Sequence, residues 1–224
     1  MCGRIASNIS GVEQILQYFG LERLAVTYQP RYNIAPGQQV FAIIQNRHGK
    51  RNATYLRWGL LPSWAKDPQL SYKMINARAE TADQKPTYRN ALRLRRCIIP
   101  ATGFYEWHQV DTLKTPYFIR LLSSAPMALA GLWEEWQAPK GETIRSFTVL
   151  TTAANHLVSS IHNRMPVVIP KCSINTWLDH SNYDLPQLMN MMQPYPAEDM
   201  EAYPVSTIVN SPINDRPECI RPIS

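Results

Sequence analysis

The sequence predicts an α+β fold, a single domain over residues 1–224 with a mainly antiparallel, partly barrel-like β-sheet and short flanking helices. Three observations support this prediction. The chain has 224 residues, 45% hydrophobic and 18% charged, which is enough for one sizeable core. Its 18 prolines are scattered, which favours short elements joined by turns. Regular strand–helix alternation and a glycine-rich phosphate loop are both missing, so a dinucleotide-binding fold is disfavoured.

The first helix is expected directly after the N-terminal segment. Ser10 and Glu13 have the spacing of a capping box. Apolar residues then follow helical periodicity from Val12 to Phe19, and Gly20 can end the helix. Further helices are expected at Thr87–Leu94, Asn155–Ile161, Ser173–Leu178 and Pro186–Met192.

Most other apolar runs predict strands, because they are short and are separated by Gly, Pro, Asn and Asp. Such connections suit hairpins and an antiparallel sheet. The predicted strands are Val40–Ile44, Thr54–Trp58, Phe104–Trp107, Tyr117–Leu121, Met127–Trp133, Phe147–Thr151 and Pro166–Ile169.

The net charge of +6 is unevenly distributed. Residues 1–112 contain 15 Lys and Arg against 7 Asp and Glu, whereas residues 113–224 contain 8 against 10. The basic segment, residues 85–96, contains five cations and no acid: Lys85, Arg89, Arg93, Arg95 and Arg96. A one-sided basic surface suits a polyanionic partner, because each neutralised phosphate releases counterions. A solvated helix face is the alternative interpretation of this segment.

Localisation and cofactors follow from what the sequence lacks. It has no apolar run of membrane-spanning length and no secretory signal, so we expect a cytoplasmic protein, nucleoid-associated when bound to DNA. We expect a monomer. None of the four cysteines is in a C-x-x-C pair or at metal-ligand spacing from a histidine, so we expect no metal, no other cofactor and no disulfide. Cys97 and Cys219 are interpreted as small core residues.

Cys2 differs because of its position. Removal of Met1 leaves Cys2 with a free α-amine and a thiol on adjacent carbons. The amine can condense with an aldehyde to an imine, and the thiolate can then add to the same carbon, closing a five-membered thiazolidine. An α-amine has a pKa of about 7.7–8.0 and a thiol one of about 8.5, so both are partly available at neutral pH. By itself a cysteine at position 2 is weak support for this chemistry.

Candidate partners for Cys2 occur in polar segments with apolar surroundings. In KMINARAET, Asn76, Arg78 and Glu80 follow a short apolar approach, and Asn76 and Arg78 share one face if the chain is extended there. Glu106 interrupts an aromatic run, where partial desolvation would raise its pKa and make it a useful general acid. His162 ends an expected helix just before an apolar strand. The alternatives are a turn residue for Asn76, a surface acid on an edge strand for Glu106 and a core or helix-end histidine for His162.

Several long motifs together resemble the SRAP family, the SOS-response-associated peptidases. They occur in order over essentially the whole chain: MCGR at the start, RYNIAPGQ (31–38), WGLLPSW (58–64), NARAET (76–81), RRCIIPATGFYEW (95–107), AGLW (130–133), IHNRMPVVI (161–169) and PVSTIVN (204–210). One departure is Gly37, where the family has Thr in RYNIAPTQ. It gives a more flexible loop and removes no catalytic group.

The resemblance implies a protein that recognises abasic sites in single-stranded DNA, crosslinks to them as a thiazolidine and protects them during the DNA damage response. It implies that Cys2 is the nucleophile, Asn76 positions the opened sugar, Glu106 is the acid/base, and His162 assists ring opening and crosslink reversal. It also implies an active-site role for Thr151 and phosphate binding by Arg4 and Arg78, which suits the fork geometry of arginine. The family name implies peptidase activity, interpreted as release of Met1, and an uncyclised imine would give lyase activity.

Single strands are the expected DNA form, because an unpaired sugar is reachable without unstacking a duplex. Trp64, Trp58 and Pro36 are candidates for stacking or wedging beside the lesion, although Trp58 is equally well interpreted as a core residue. Two other functions remain open at this stage. One is an N-terminal-nucleophile amidohydrolase, although the glutamine-binding segments of glutamine amidotransferases are not found. The other is a non-catalytic module that binds modified DNA.

Overall fold

The strands and helices of the fold are connected by short turns and 3-10 helices. The computed structural model describes residues 2–46, 48–139, 141–181 and 183–223. The strands are β1 (Ile5–Ser7), β2 (Arg31–Ile34), β3 (Gln39–Gln45), β4 (Arg51–Trp58), β5 (Asn76–Arg78), β6 (Arg96–Ala101), β7 (Gly103–Val110), β8 (Leu113–Leu121), β9 (Met127–Gln137), β10 (Thr143–Ala153), β11 (Arg164–Pro166) and β12 (Met200–Pro204). The helices are α1 (Val12–Phe19), α2 (Pro86–Leu94), α3 (His156–Ser159), α4 (Ile174–Leu178) and α5 (Leu185–Met191). The 3-10 helices are Pro68–Lys73, Ala79–Thr81, Lys171–Ser173, Ala197–Asp199, Thr207–Asn210 and Pro217–Ile220.

The strands form two sheets. The first is antiparallel, in the order β12-β8-β7-β1-β2. The second has the order β11-β10-β4-β3-β6-β9, and because β9 also pairs with β10, strands β3, β4, β6, β9 and β10 form a closed ring. Strand β10 runs parallel to β4 and β5 and antiparallel to its other neighbours. The expected mainly antiparallel, partly barrel-like α+β fold is therefore confirmed.

Alternate residues of the second sheet enter two different hydrophobic clusters, as the two-residue period of a strand requires. In β3, Phe41 and Ile43 pack with residues of the helices, such as Phe19 and Trp177. Val40, Ala42 and Ile44 instead pack with residues of the first sheet, including Ile5, Phe104 and Ile119. The second cluster also contains Cys2, so the N-terminal segment lies in the core shared by the two sheets.

The predicted helices are found with small shifts in their bounds, but the predicted capping box is wrong. The side chain of Ser10 contacts the Gln14 side chain, the N-cap position is occupied by Gly11, and no side chain caps the helix. Gly20 ends the helix in the left-handed conformation, with φ 65°, as expected. Six of the predicted strands are found. The seventh is displaced, because β11 ends at Pro166 and Val168 makes only an isolated bridge to Leu129.

The basic segment is only partly a surface. Lys85, Arg89 and Arg93 are exposed, whereas Arg95 forms an ion pair with the buried Glu134 at 2.8 Å. Arg96 is fully buried and donates to backbone carbonyls, including those of Leu92 and Trp177. Two of the five cations therefore hold the fold together. No described helix combines the length and apolarity needed to cross a membrane.

The cysteines are arranged as the sequence predicts at two positions. Cys97 and Cys219 are buried, in agreement with their interpretation as core residues, and Cys172 is exposed. The Cys219 thiol donates a hydrogen bond to the Asn214 carbonyl at 3.1 Å.

Candidate active site at Cys2

Cys2 is held by one strand from each sheet. It is 0% exposed. Strand β1 pairs with β7, and the Tyr105 amide donates to the Arg4 carbonyl at 2.9 Å. From the other sheet, Asn76 Nδ2 in β5 donates to the Cys2 carbonyl oxygen at 2.8 Å. The backbone around Cys2 is thus fixed on both sides. Met1, whose removal is expected, lies outside the described residues.

Burial determines the acidity of the Cys2 thiol. Desolvation raises its pKa well above the usual range, and the nearby Glu106 charge raises it further, while the Arg4 backbone amide donates to the sulfur and opposes these effects. The resting group is therefore the neutral thiol. Because the thiolate is the reactive form, a base must take the thiol proton when sulfur attacks. Glu106, whose charge acts on this thiol, is the candidate for that base.

Glu106 occupies a central strand, which settles one of the alternatives. It lies in β7 opposite Tyr117 of β8 and is 3% exposed, so it is not a surface acid on an edge strand. Burial is the main reason that its pKa rises to about 7 from an ordinary value of 4.5. A carboxyl group with this pKa can both accept and donate a proton near neutral pH.

Asn76 and Arg78 lie in β5, which runs parallel to β10. Ala77 between them is buried while Arg78 is exposed, so the two polar residues share the opposite face, as predicted. The structure shows a strand at Asn76, not a turn. Asn76 Oδ1 is buried and accepts no hydrogen bond from the described residues. A buried unpaired acceptor costs about 1–3 kcal/mol, so this oxygen is well suited to accept a hydrogen bond from a bound molecule.

The backbone of Arg164 holds the His162 ring. His162 precedes β11, and its Nδ1 lies 3.0 Å from the Arg164 backbone amide and 3.3 Å from the Arg164 carbonyl oxygen. The amide can donate to an unprotonated Nδ1, and a protonated Nδ1 can donate to the carbonyl, so both tautomers fit these contacts. Desolvation lowers the pKa of His162 below its ordinary value of 6.5, which favours the neutral ring at pH 7. In the tautomer in which Nδ1 accepts, the ring can donate a hydrogen bond from Nε2.

Thr151 lies inside the protein. Its side chain is 0% exposed, and its Oγ1 lies 3.4 Å from the Ala77 carbonyl and 3.3 Å from Arg164 Nη2. The Arg164 guanidinium also donates to both carboxylate oxygens of Glu80, at 2.6 and 2.9 Å, and to the Thr151 carbonyl at 2.6 Å. Thr151 thus connects β5, β10 and β11.

The Arg4 side chain makes contacts that stabilise the fold. Its Nη1 donates to Asn33 Oδ1 at 2.7 Å and to the Val209 carbonyl at 2.5 Å. Its guanidinium carbon lies 5.7 Å from the centre of the Trp107 ring. Asn33 Nδ2 contacts three carbonyls in the same C-terminal segment, residues 209–214. The side chain that is expected to bind phosphate therefore also anchors the segment that follows β12.

Trp64 lines a groove formed by residues between positions 64 and 73. The groove has a volume of about 620 Å³ and is lined by Trp64, Lys66, Asp67, Gln69, Leu70, Tyr72 and Lys73. Trp64 and Tyr72 are 60% and 63% exposed. Pro36 is half-buried in the turn before Gly37, whose backbone lies close to the Tyr72 ring. Trp58 differs from this group, because it is 1% exposed and its Nε1 donates to the Ile75 carbonyl; it is a core residue.

No group of three or more His, Cys, Asp or Glu side chains suited to a metal ion is found among residues 2–46, 48–139, 141–181 and 183–223.

Two contributors to the site, Arg164 and Tyr72, were missed from the sequence. Arg164 lies in the motif IHNRMP and pairs with Glu80 of NARAET, so their opposite charges were an available signal. Tyr72 is an exposed aromatic residue in a 3-10 helix, and nothing in the sequence distinguishes it from a core tyrosine.

Comparison with known proteins shows relatives over the full length. Abasic site processing protein YoqW of Bacillus subtilis (strain 168) is 46% identical over 227 residues, covering 98% of this chain and 99% of that protein. Abasic site processing protein HMCES of Gallus gallus is 34% identical and aligns with 88% of this chain and 67% of its own length.

Solved structures share the fold. A Bacteroides thetaiotaomicron protein is similar with a TM-score of 0.89, 23% identity and full coverage of both chains. A Bordetella bronchiseptica protein has a TM-score of 0.78 and 28% identity, covering 92% of this chain and 100% of that one. The family model described as SOS response associated peptidase (SRAP) matches residues 1–212. This chain therefore belongs to the SRAP family.

Proposed function

We propose that this chain recognises abasic sites in single-stranded DNA and links to them covalently through Cys2, which protects the lesion during the DNA damage response. The observation that carries the proposal is a buried Cys2 whose thiol pKa is raised by the charge of a second buried group, the carboxyl group of Glu106, which has a pKa of about 7. The names of the relatives YoqW and HMCES, both abasic site processing proteins, support the choice of substrate.

Removal of Met1 comes first, because the reaction needs the α-amine of Cys2. We assign this step to self-processing or to a cellular aminopeptidase. The amine then attacks the C1′ aldehyde, and loss of water gives an imine. The Cys2 sulfur adds to the same carbon while its proton goes to the nitrogen, which closes a thiazolidine. One water is released overall, and no oxidant or reductant is needed.

Glu106 and His162 supply the proton transfers. Abasic deoxyribose is mostly a closed hemiacetal, so the ring must open before the amine can attack. Glu106, with a pKa of about 7, can take the proton of the hemiacetal hydroxyl and later that of the Cys2 thiol. The neutral His162 ring can donate from Nε2 to the ring oxygen as it leaves, and the same groups serve crosslink reversal.

Asn76 positions the reacting groups. Its Nδ2 holds the Cys2 carbonyl, and its buried Oδ1 is available to accept a hydrogen bond from the Cys2 amine or from a hydroxyl of the opened sugar. Holding both reactants in this way converts a bimolecular addition into an effectively unimolecular one. Thr151 acts from the interior, by supporting the strand that carries Arg78.

The DNA path is assigned to the exposed cations and aromatic side chains around Cys2. Arg78 and the accessible part of Arg4 bind the phosphates that flank the lesion. The groove beside Trp64 and Tyr72 stacks neighbouring bases, and Pro36 borders this surface. Because Lys73 and Asn76 are three residues apart, the groove lies within about 10 Å of β5.

Strand cleavage is a side reaction of the same intermediate. An imine at C1′ acidifies the C2′ hydrogens, so loss of a C2′ proton breaks the C3′–O bond and cuts the strand. Sulfur addition removes the imine and prevents this elimination. A Cys2→Ala variant keeps the amine and loses the sulfur, so it should form no stable crosslink and retain some lyase activity.

Intact-protein mass spectrometry tests the proposal. The processed protein is incubated with a single-stranded oligonucleotide that carries one abasic site, without borohydride. We expect one adduct that maps to Cys2 and is lost in Cys2→Ala. Cys172→Ser, which changes an exposed cysteine, is the matched control and should react like the parent. An adduct on the Cys2→Ala variant, or none on the processed parent, would disprove the scheme, and release of ammonia from glutamine would favour an amidohydrolase.

A further inference from the structure

We propose that Glu80 is a positioning residue that acts through Arg164 to hold His162 for the reaction. This inference rests on the proposed function for its kinetic consequence, but the geometry it describes can be measured without DNA. Glu80 lies in the 3-10 helix Ala79–Thr81, directly after the strand that carries Asn76 and Arg78.

The Glu80–Arg164 pair has the geometry of a rigid fork. Nη1 and Nη2 of Arg164 donate to separate carboxylate oxygens of Glu80, at 2.6 and 2.9 Å. The Arg164 side chain is 15% exposed, against 30–69% for the arginines in the other ion pairs of the described residues. The Glu80 side chain is 47% exposed, so the pair is shielded from water mainly on the arginine side. Two parallel hydrogen bonds and a mostly buried guanidinium hold the geometry of this pair better than a single contact between exposed groups does.

The pair spans β10. Thr151 in β10 pairs with Arg78 on one side and with Pro166 on the other, so β10 lies between β5 and β11. Glu80 follows β5 and Arg164 begins β11, and the guanidinium crosses between them while donating to the Thr151 carbonyl. Strand β11 has only three residues, so side-chain bonds have a large share in fixing its place.

The same residue fixes the histidine. The Arg164 backbone amide donates to His162 Nδ1 at 3.0 Å, and His162 is two positions before it in the chain. The Arg164 carbonyl oxygen lies 3.3 Å from the same nitrogen. Displacement of Arg164 therefore moves both backbone groups that orient the ring. Loss of the Glu80 carboxylate should let β11 shift, which changes the orientation of the ring and the balance of its two tautomers.

The negative charge of Glu80 allows a positioning role to be distinguished from a role in DNA binding. Glu80→Gln removes a negative charge beside Arg164, which makes the DNA-binding face more positive. Affinity for intact single-stranded DNA should stay equal or rise. The rate of crosslinking at saturating DNA should fall, because misplacement of a reacting group by about 1 Å can cost roughly 100-fold. Weaker binding cannot explain such a loss.

The experiment compares Glu80→Gln and Glu80→Asp with Glu201→Gln. Glu201 forms a similar pair with Arg120, at 2.7 Å, in the first sheet. For each protein we measure the single-turnover crosslinking rate at saturating abasic oligonucleotide, the Kd for intact single strands and the ¹⁵N shifts of the His162 ring. We expect Glu80→Gln to lower the rate about 10- to 100-fold, to leave Kd unchanged or tighter, and to move the Nδ1 shift. Glu80→Asp should lie between Glu80→Gln and the parent, and Glu201→Gln should match the parent.

A double variant checks that Glu80 acts through Arg164. In an Arg164→Gln background, Glu80→Gln should slow the reaction no further. The proposal is overturned if Glu80→Gln keeps both the crosslinking rate and the Nδ1 shift of the parent. It is also overturned if Glu201→Gln slows crosslinking as much as Glu80→Gln does, or if the slower crosslinking of Glu80→Gln is accompanied by an equally weaker affinity for DNA. If the parent itself forms no crosslink, the proposed function fails, and the ¹⁵N shifts alone then decide whether Glu80 holds His162.

Discussion

Burial of the Glu106 carboxyl group allows a quantitative prediction of how the free energy of unfolding depends on pH, and a matching prediction for the crosslinking rate. Its pKa is about 7 in the folded protein, against an ordinary value of 4.5. Between these two pH values the folded protein keeps a proton on Glu106 that the unfolded chain releases. The free energy of unfolding therefore falls as pH rises, by about 3 kcal/mol in total at about 1.4 kcal/mol for each pH unit. The loss is complete above pH 7 and absent below pH 4.5.

Glu106→Gln removes this titration with little change in shape. The variant should match the parent at pH 4 and be more stable by about 3 kcal/mol at pH 8, because an amide does not ionise. For a chain of this length, that difference corresponds to a rise in Tm of roughly 6–12 °C. Crosslinking should nevertheless slow by about 100- to 10,000-fold, since the variant cannot transfer a proton.

Urea and thermal unfolding of both proteins at pH 4 and pH 8 measure the first effect, and single-turnover crosslinking measures the second. Glu201→Gln, which removes a carboxylate of the same sheet that is 34% exposed in its side chain, serves as the control for the loss of a carboxylate outside the site. The reasoning would be refuted if the stability difference between Glu106→Gln and the parent were the same at both pH values. A variant that crosslinks at the parental rate would refute the assignment of Glu106 as acid and base.

Three further predictions follow from the site and its supporting strands. Trp64→Ala should weaken binding of single-stranded DNA by about 1–3 kcal/mol in titrations, with unchanged Tm because the ring is 60% exposed. Asn76→Ala should slow crosslinking about 10- to 100-fold. It should change the free energy of unfolding by less than about 1 kcal/mol, because the hydrogen bond lost to the Cys2 carbonyl is offset by removal of the unpaired Oδ1. A large loss of stability in urea unfolding would contradict this prediction. Gly103→Ala should destabilise the fold by about 1–3 kcal/mol, because the added Cβ would lie 2.4 Å from Phe118 Cζ. Gly11→Ala is the control, since the nearest atom to its added Cβ is 3.4 Å away. Equal Tm values for the two variants would contradict this prediction.

Much of the fold could be predicted because its signals are local. The two-residue period of β3 and the helical period of α1 are properties of a few consecutive residues. Five strands were not predicted, namely β1, β2, β5, β6 and β12. Of these, β1 and β5 have only three residues each and form through pairing with distant segments. The capping box at Ser10 failed for a related reason, since Gln14 competes for the same hydroxyl.

The candidate site divides in the same way. Cys2, Asn76, Glu106 and His162 were identified from the sequence, because amine, thiol, amide, carboxyl and imidazole groups have recognisable chemistry and occur in distinctive motifs. The protonation states of Cys2 and Glu106 depend on the tertiary structure. Burial in a central strand raises the pKa of Glu106 to about 7, and burial in the shared core keeps the Cys2 thiol protonated.

Contacts over long sequence separations explain the remaining differences. Asn76 meets Cys2 across 74 positions, and Arg164 meets Glu80 across 84. The same dependence placed Arg96 in the interior, although it was expected at a DNA-binding surface or on an outer helix face. The sequence by itself determined the kind of fold and the reactive groups, which depend on residue type and local period. Only the tertiary structure decided burial and partners, because these depend on which distant residues exclude water from one another.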